Sequence, residues 1–117
     1  MRATNVPSRV KAKKKLMKAV AGMYAGPGTM YRRALEAHKR SEQQAFIGRK
    51  LKKRQYRQLW ITRINIATRA AGMPYSRFMA GLAAADIRLD RKQLSELAIH
   101  QPEAFQSLVD QARAALA

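Results

Sequence analysis

The 117-residue sequence has no cysteine, few acidic residues and no long apolar run. Without cysteine, the chain forms neither disulfides nor thiolate metal sites. A transmembrane helix needs roughly 20 consecutive apolar residues, and the sequence contains no such run. No apolar segment of the kind found in secretory signals follows the basic N-terminus, so we expect no such signal. These absences are compatible with a reducing compartment and give no indication of a membrane span.

Basic residues, by contrast, are abundant. The sequence has 24 Lys and Arg against seven Asp and Glu, which gives a formal net charge of +17. A small domain usually carries a net charge of magnitude about 2 to 8, and a larger excess repels itself and opposes compactness. The excess therefore indicates an anionic partner. Nucleic acid is the first candidate and an anionic membrane surface is the second.

The excess charge is concentrated in one half of the chain. Residues 1–59 hold 17 basic and two acidic residues, a net charge of +15, whereas residues 60–117 hold seven and five, a net charge of +2. We therefore predict a basic arm over residues 1–58 and a small globular domain over residues 59–117. The arm is predicted to contain a short helix, a Gly/Pro loop and a long projecting helix.

Helical periodicity dominates the second part, and no segment shows the sustained alternation of a strand. Pro102 suits the first position of the last helix, Asp90 and Gln93 have the spacing of a capping box, and another helix is expected from about Ser76 to Ala85. The fold class is thus predicted to be all-α. The predicted core consists of Trp60, Ile64, Ala67, Phe78, Leu82, Ile87, Leu89, Leu94, Leu97, Phe105 and Leu108.

The arm is built differently. Residues 8–21 permit a helix, but Gly22 to Gly28 is predicted to be a loop, because its three glycines and its proline do not continue a helix. Thr29 is expected to cap a long helix from about Met30 to Ala71, roughly 60 Å long at 1.5 Å per residue. Since the arm lacks an apolar core, we expect it to be poorly ordered alone and to fold on its partner.

The densest basic segment is Arg49 to Arg57, with six cations in nine residues. On a helical wheel they cover an arc of about 200°. A membrane-surface helix would place an apolar face opposite this arc, but Leu51, Gln55 and Gln58 lie there, and that face is too polar. A helix charged over more than half its circumference suits a crevice between phosphate backbones, in folded RNA or wrapped DNA. A merely solvated face is the weaker interpretation, because two basic runs coincide with the global excess.

Four aromatic residues interleave with the cations. They are able to stack on unpaired bases or to pack against neighbouring helices or proteins, and the sequence leaves both open. These residues are Tyr24, Tyr31, Phe46 and Tyr56.

The sequence contains no arrangement of residues that indicates a catalytic site. The two histidines, His38 and His100, lie in different halves, and the acidic residues are scattered, with Asp90 already assigned to a helix cap. There is neither a Gly-rich phosphate loop nor a metal-ligand spacing. We therefore predict no catalytic residue, no bound metal, no cofactor and no small-molecule substrate.

A specific pattern follows the basic run. The pattern R-x-L-W-I-x-R-I-N is present here as Arg57, Leu59, Trp60, Ile61, Arg63, Ile64 and Asn65. With its continuation through residues 75–109, the sequence resembles the bacterial large-subunit ribosomal protein family numbered twenty. Departures lie in the arm, where Ala21 stands in place of a common lysine and the segment Ile47 to Lys50 lacks the family's acid.

The resemblance implies a non-enzymatic, structural constituent of the large ribosomal subunit. It implies direct binding of 23S ribosomal RNA through a long basic helical arm, support of subunit assembly, contact with neighbouring large-subunit proteins, and location in a bacterial-type ribosome in the cytoplasm. Some members repress translation of their own messenger RNA, which is a further expected partner. The alternative, an architectural DNA-binding protein, explains the charge but not the resemblance.

The RNA-binding residues are predicted to be cations and aromatic residues of the basic segments. They are Arg9, Lys11, Lys13, Lys14, Lys15, Lys18, Tyr24, Tyr31, Arg32, Arg33, Lys39, Arg40, Arg49, Lys50, Lys52, Lys53, Arg54, Tyr56, Arg57 and Arg63.

Overall fold

The structure, a computed structural model, describes residues 6–117. The first five residues of the predicted arm lie outside this range. Within it the chain forms helices and no strand, so the all-α prediction is confirmed, with a long basic helix and a small set of compact C-terminal helices. The helices are α1 (Pro7–Ala19), α2 (Gly26–Thr29), α3 (Tyr31–Ala70), α4 (Tyr75–Ala84), α5 (Arg91–His100) and α6 (Pro102–Ala115).

Two compact units divide the chain, one ending at Lys50 and the other beginning at Leu51, both positions inside α3. In the first unit, Val20 after α1 and Ala34 in α3 are fully buried. The ammonium of Lys13 lies 5.5 Å from the ring centroid of Tyr31. This contact places α1 beside the beginning of α3.

The Gly/Pro segment between α1 and α3 differs from the prediction of an uninterrupted loop. Its second half is the single helical turn α2, closed by a hydrogen bond of 2.8 Å from the Met30 N–H to the first carbonyl of the turn. Pro27 is compatible with this turn, because the first positions of a helix need no N–H donor. The predicted cap at Thr29 is wrong: this residue ends α2, and its hydroxyl donates to the Ala25 carbonyl at 3.5 Å.

Helix α3 ends in a Schellman motif. The Met73 N–H donates to the Thr68 carbonyl at 2.9 Å and the Gly72 N–H to the Arg69 carbonyl at 3.0 Å. Gly72 has a φ of +78°, a left-handed conformation that glycine adopts without a steric penalty. The turn directs Met73 into the core of the second unit, where it is buried.

The core of the second unit lies between α4, α5, α6 and the C-terminal turns of α3. Helix α6 packs against both α4 and α5, and the rings of Phe78 and Phe105 meet at a centroid distance of 5.4 Å. Gly81 lets α4 approach α6 closely, because a Cβ at this position would collide with the Ala112 carbonyl. The buried core consists of Ile64, Met73, Phe78, Leu82, Leu94, Phe105, Val109 and Ala112.

Most of the predicted core is therefore correct. The exception is Trp60, which is half-buried and lies outside the core cluster, with its ring centroid 6.3 Å from that of Tyr56. The predicted capping box at the beginning of α5 is confirmed, and the Asp90 N–H donates to Oε1 of Gln93 at 2.9 Å.

Candidate nucleic-acid interface

Helix α1 carries the first group of predicted RNA-binding cations. None of its residues is buried, and all six of these cations are exposed. The helix has no acidic residue, and Lys18 in its last turn complements the negative end of the helix dipole. The α1 cations are Arg9, Lys11, Lys13, Lys14, Lys15 and Lys18.

Helix α3 carries the second and larger group. Tyr31, Arg32 and Arg33 lie in its first turn, and Lys39 and Arg40 follow after about two turns. From residue 39 to residue 59 every side chain of α3 is exposed, including the large apolar ones. A helix in a globular domain normally buries one face, so this stretch of α3 has the surface of a helix that lacks its partner.

Like charges crowd this stretch. Residues three and four apart are neighbours on a helix surface. Three pairs of cations lie four residues apart on α3. They are Arg49 and Lys53, Lys50 and Arg54, and Lys53 and Arg57. Each such pair disfavours the helix in water by about 0.2–0.5 kcal/mol. Phosphates of a polyanion beside the helix would attract these cations and offset the repulsion between them.

The interface cations have no intramolecular ion-pair partner within residues 6–117. In this range the recorded ion pairs are Arg88 with Asp86 and two histidine–glutamate pairs, none of which involves a predicted RNA-binding residue. The acidic residues of the chain therefore leave the charge of the interface uncompensated.

Two of the aromatic residues in these segments are in contact with lysines. The Lys13 ammonium lies over the ring of Tyr31, and the Lys50 ammonium lies 4.4 Å from the ring centroid of Phe46. Such cation–π contacts occupy one ring face. Tyr24 differs from both, since 95 % of its surface is exposed.

The predicted site residues are not gathered into one pocket. Lys13 and Tyr31 are brought together, whereas most of the others are distributed along α1 and α3. Arg63 differs from the other cations because it is half-buried in the C-terminal part of α3. The arrangement suits a long contact with a backbone of repeated charges better than recognition of a small molecule.

Other kinds of site find no support in the described part of the chain. No group of three or more His, Asp or Glu side chains there could hold a metal ion. The histidines form surface pairs four residues apart, His38 with Glu42 and His100 with Glu96, each at 3.3 Å. Among residues 6–117, none of the helices is long and apolar enough to cross a membrane.

One structural feature of the interface was not predicted from the sequence. Ala25, beside Tyr24, has φ +57° and ψ −139°, a conformation that normally requires glycine. Alanine in a Gly-rich segment gives no indication of this backbone. The nearby glycines were the available signal that the turn is unusual.

Comparisons with known proteins agree with this geometry. The model of the family described as Ribosomal protein L20 matches residues 2–108. A "Large ribosomal subunit protein bL20" of Thermosipho melanesiensis is 45 % identical over 116 residues, which cover 99 % of this chain and 98 % of that protein. Proteins of the same name are 48 % identical in Koribacter versatilis and 50 % identical in Clostridium botulinum, over 88 % of this chain and 85 % and 87 % of those proteins.

A basic, all-α chain with these relatives is a structural and non-enzymatic component of the ribosome. The chain belongs to the ribosomal protein L20 family, and it is a constituent of the large ribosomal subunit. The resemblance stated from the sequence is confirmed. As members of a bacterial-type family, the relatives also confirm the prediction of a ribosomal protein of the cytoplasm.

Proposed function

We propose that the chain binds 23S ribosomal RNA directly through the basic arm of residues 1–58, and that this binding supports assembly of the large subunit. The observation that carries the proposal is the stretch of α3 from residue 39 to residue 59. Every side chain in it is exposed, and its cations lack acidic partners among the described residues. A surface of this kind is stabilised by an external polyanion.

The mechanism is electrostatic. Each phosphate that a Lys or Arg neutralises releases condensed counterions, and this release drives binding. Folded RNA brings phosphates of several strands close together. A helix with cations over an arc of about 200° contacts more than one strand at once and reduces their mutual repulsion, which is how the arm would favour assembly.

The C-terminal part of the chain after the arm has a different role in this proposal. Residues 60–117 carry a net charge of only +2, so this part is better suited than the arm to contact neighbouring large-subunit proteins. The chain's own messenger RNA is a further proposed partner, because the same cations bind any RNA with a similar arrangement of phosphates.

Competition binding tests the proposal. The purified full chain is bound to labelled 23S ribosomal RNA fragments and challenged with unlabelled fragments or with duplex DNA at the same salt concentration. We expect the RNA fragments to compete at lower concentration. Preference for duplex DNA would contradict the proposal and favour the architectural alternative.

Crosslinking then locates the contact. The full chain is crosslinked to whole 23S RNA, and the crosslinked peptides are identified. We expect most of them to come from α1 and from residues 39–59 of α3. A set of crosslinks confined to α4, α5 and α6 would contradict a role for the arm.

A further inference from the structure

The turn between α1 and α2 presents one aromatic ring almost completely to solvent. Tyr24 is 95 % exposed, compared with 44 % for Tyr31, 55 % for Phe46 and 49 % for Tyr56. Each of the other three rings has a neighbour at one face or edge: Lys13, Lys50 and Trp60, respectively. A tyrosine normally buries much of its large apolar surface, so the exposure of Tyr24 indicates that a binding partner covers the ring.

The backbone around Tyr24 is a built structure. Gly22 and Ala25, on either side of it, have φ values of +88° and +57°. The Ala25 conformation is one that non-glycine residues adopt only where the surrounding structure enforces it, and such positions concentrate at functional sites. Hydrogen bonds of 3.1 Å hold the turn, from the Met23 N–H to the Val20 carbonyl and from the Gly28 N–H to the Ala25 carbonyl.

Close packing also fixes the turn. A Cβ on Gly28 would collide with the Met23 carbonyl, so these two backbone segments are in direct contact. A Cβ on Gly26 would lie 2.8 Å from Cδ of Arg33 and 3.1 Å from one of its terminal nitrogens, which shows that the Arg33 side chain lies across the turn. The exposed ring therefore projects from a hydrogen-bonded, closely packed turn that carries a cation.

These observations lead us to propose that Tyr24 stacks on an unpaired base of the large-subunit RNA, while Arg33 and the α1 cations bind the adjoining phosphates. The inference rests on the proposed function and deepens it, because it adds a contact to a base where the other contacts are to the backbone. A base in a continuous duplex has no free face, whereas a base in a loop or bulge does. The ligand is therefore single-stranded at this point.

A protein pocket is the competing occupant for an exposed tyrosine. The surroundings favour RNA, because Arg33 lies across the turn and α1, which precedes it, has six cations and no acidic residue. A protein surface would need a concentrated set of acids to match this charge. RNA provides the flat apolar face and the negative charge in one molecule.

Variants of the full chain test the inference. Affinity for 23S RNA fragments is measured over a range of salt concentrations for the natural chain, Tyr24→Ala and Tyr24→Phe. We expect Tyr24→Ala to weaken binding by about 5- to 150-fold, the range for loss of one stacked base, with an unchanged salt slope because no charge is lost. Tyr24→Phe keeps the ring and should bind within about twofold of the natural chain.

Ile66→Ala is the matched control. Ile66 is 66 % exposed on α3, so this variant also removes an exposed apolar side chain, and we expect no change in affinity. A photoreactive phenylalanine analogue at position 24 supplies a second measurement. We expect it to crosslink to an unpaired nucleotide in assembled subunits, and a crosslink to a ribosomal protein or to paired RNA would overturn the inference.

Failure of the proposed function and failure of the stacking inference give different experimental results. If the natural chain shows no salt-dependent preference for 23S RNA, the proposed function itself fails. If the natural chain binds as proposed but Tyr24→Ala binds equally well, only the stacking inference fails. A reduced salt slope in Tyr24→Ala would also overturn it, because the turn would then act by positioning phosphate contacts.

Discussion

Single positions with left-handed backbone conformation determine how helices of the second unit end. Helix α4 closes in a Schellman motif, with the Ile87 N–H donating to the Leu82 carbonyl at 2.9 Å and the Asp86 N–H to the Ala83 carbonyl at 3.2 Å. Asp86 has a φ of +52°, where glycine is usual. Its negative charge also lies at the negative end of the helix dipole.

Asp86→Gly is therefore expected to raise the free energy of unfolding by about 0.5–1 kcal/mol, since it removes both the steric and the electrostatic penalty. The measurement is urea unfolding of the full chain. Arg88, whose Nε lies 3.0 Å from Oδ1 of Asp86, provides the control: both side chains are highly exposed, and Arg88→Ala should change stability by less than about 1 kcal/mol. A destabilised Asp86→Gly would show that the carboxylate itself supports the turn.

Two glycines inside helices, one closely packed and one with open space around it, provide a second test. Gly81→Ala introduces a collision with the Ala112 backbone, which has no room to move between packed helices, and should lower stability by about 1–3 kcal/mol. Gly48→Ala has open space around the new Cβ and should favour helix by about 0.5–1 kcal/mol. Chemical unfolding measures the stability of Gly81→Ala, and circular dichroism at low temperature measures the helix content of Gly48→Ala. An unchanged or raised stability of Gly81→Ala would contradict the described packing of α4 against α6.

At the scale of elements, α3 combines two kinds of helix. Its C-terminal turns supply Ile64 and Thr68, both fully buried, whereas residues 39–59 have no buried side chain. Most helical stability in proteins comes from packing of one face, and like-charge neighbours weaken the exposed stretch further. The stability of α3 is thus expected to change sharply along its length.

Hydrogen exchange of the full chain measures this difference. Without RNA, amides of residues 39–59 should exchange far faster than amides near the buried side chains of the second unit, because opening of the exposed stretch breaks no core contact. With 23S RNA bound, the same amides should become protected. Strong protection of residues 39–59 in the free chain would contradict the expected low stability of this stretch of α3.

Charge removal from the same element provides a further prediction. The triple variant Lys50→Gln, Lys52→Gln and Lys53→Gln should reduce the magnitude of the log–log salt slope for 23S RNA by about 2 to 3, at about 0.7–0.9 per lost phosphate contact.

A matched control removes the same charge from residues outside α3, through Arg77→Gln, Arg88→Gln and Lys92→Gln. All three cations are exposed. We expect a smaller change in slope for this control, and equal changes in both variants would show that the arm has no special role.

The elements differ in how far the sequence predicts them. The apolar spacing and capping box of α5 and α6 identify those helices, because local chemistry decides them. The burial of Met73 and the position of Thr29 at the end of α2 depend on how turns close, through hydrogen bonds and left-handed residues. Hydrophobic periodicity does not encode these features, which is why the cap predicted at Thr29 is wrong. The exposure of the cations on α1 and on residues 39–59 was predictable from their charge, whereas the backbone of Ala25 and the unequal exposure of the aromatic rings were not.

At the scale of the whole molecule, a net charge of +17 is a property of the arm more than of the protein. Residues 60–117 have a core, close helix packing and a net charge of only +2. Most of the excess lies on α1 and on residues 39–59 of α3, where no side chain is buried. We propose that the phosphates of 23S RNA neutralise this excess.

The salt dependence of binding measures this neutralisation. The affinity of the full chain for 23S RNA fragments is measured from low to moderate salt, and log affinity is plotted against log salt concentration. With on the order of ten phosphate contacts, we expect a straight line with a slope near −7 to −9. A slope near zero, with binding retained at high salt, would contradict it, because the arm's charges would then contribute little to the contact.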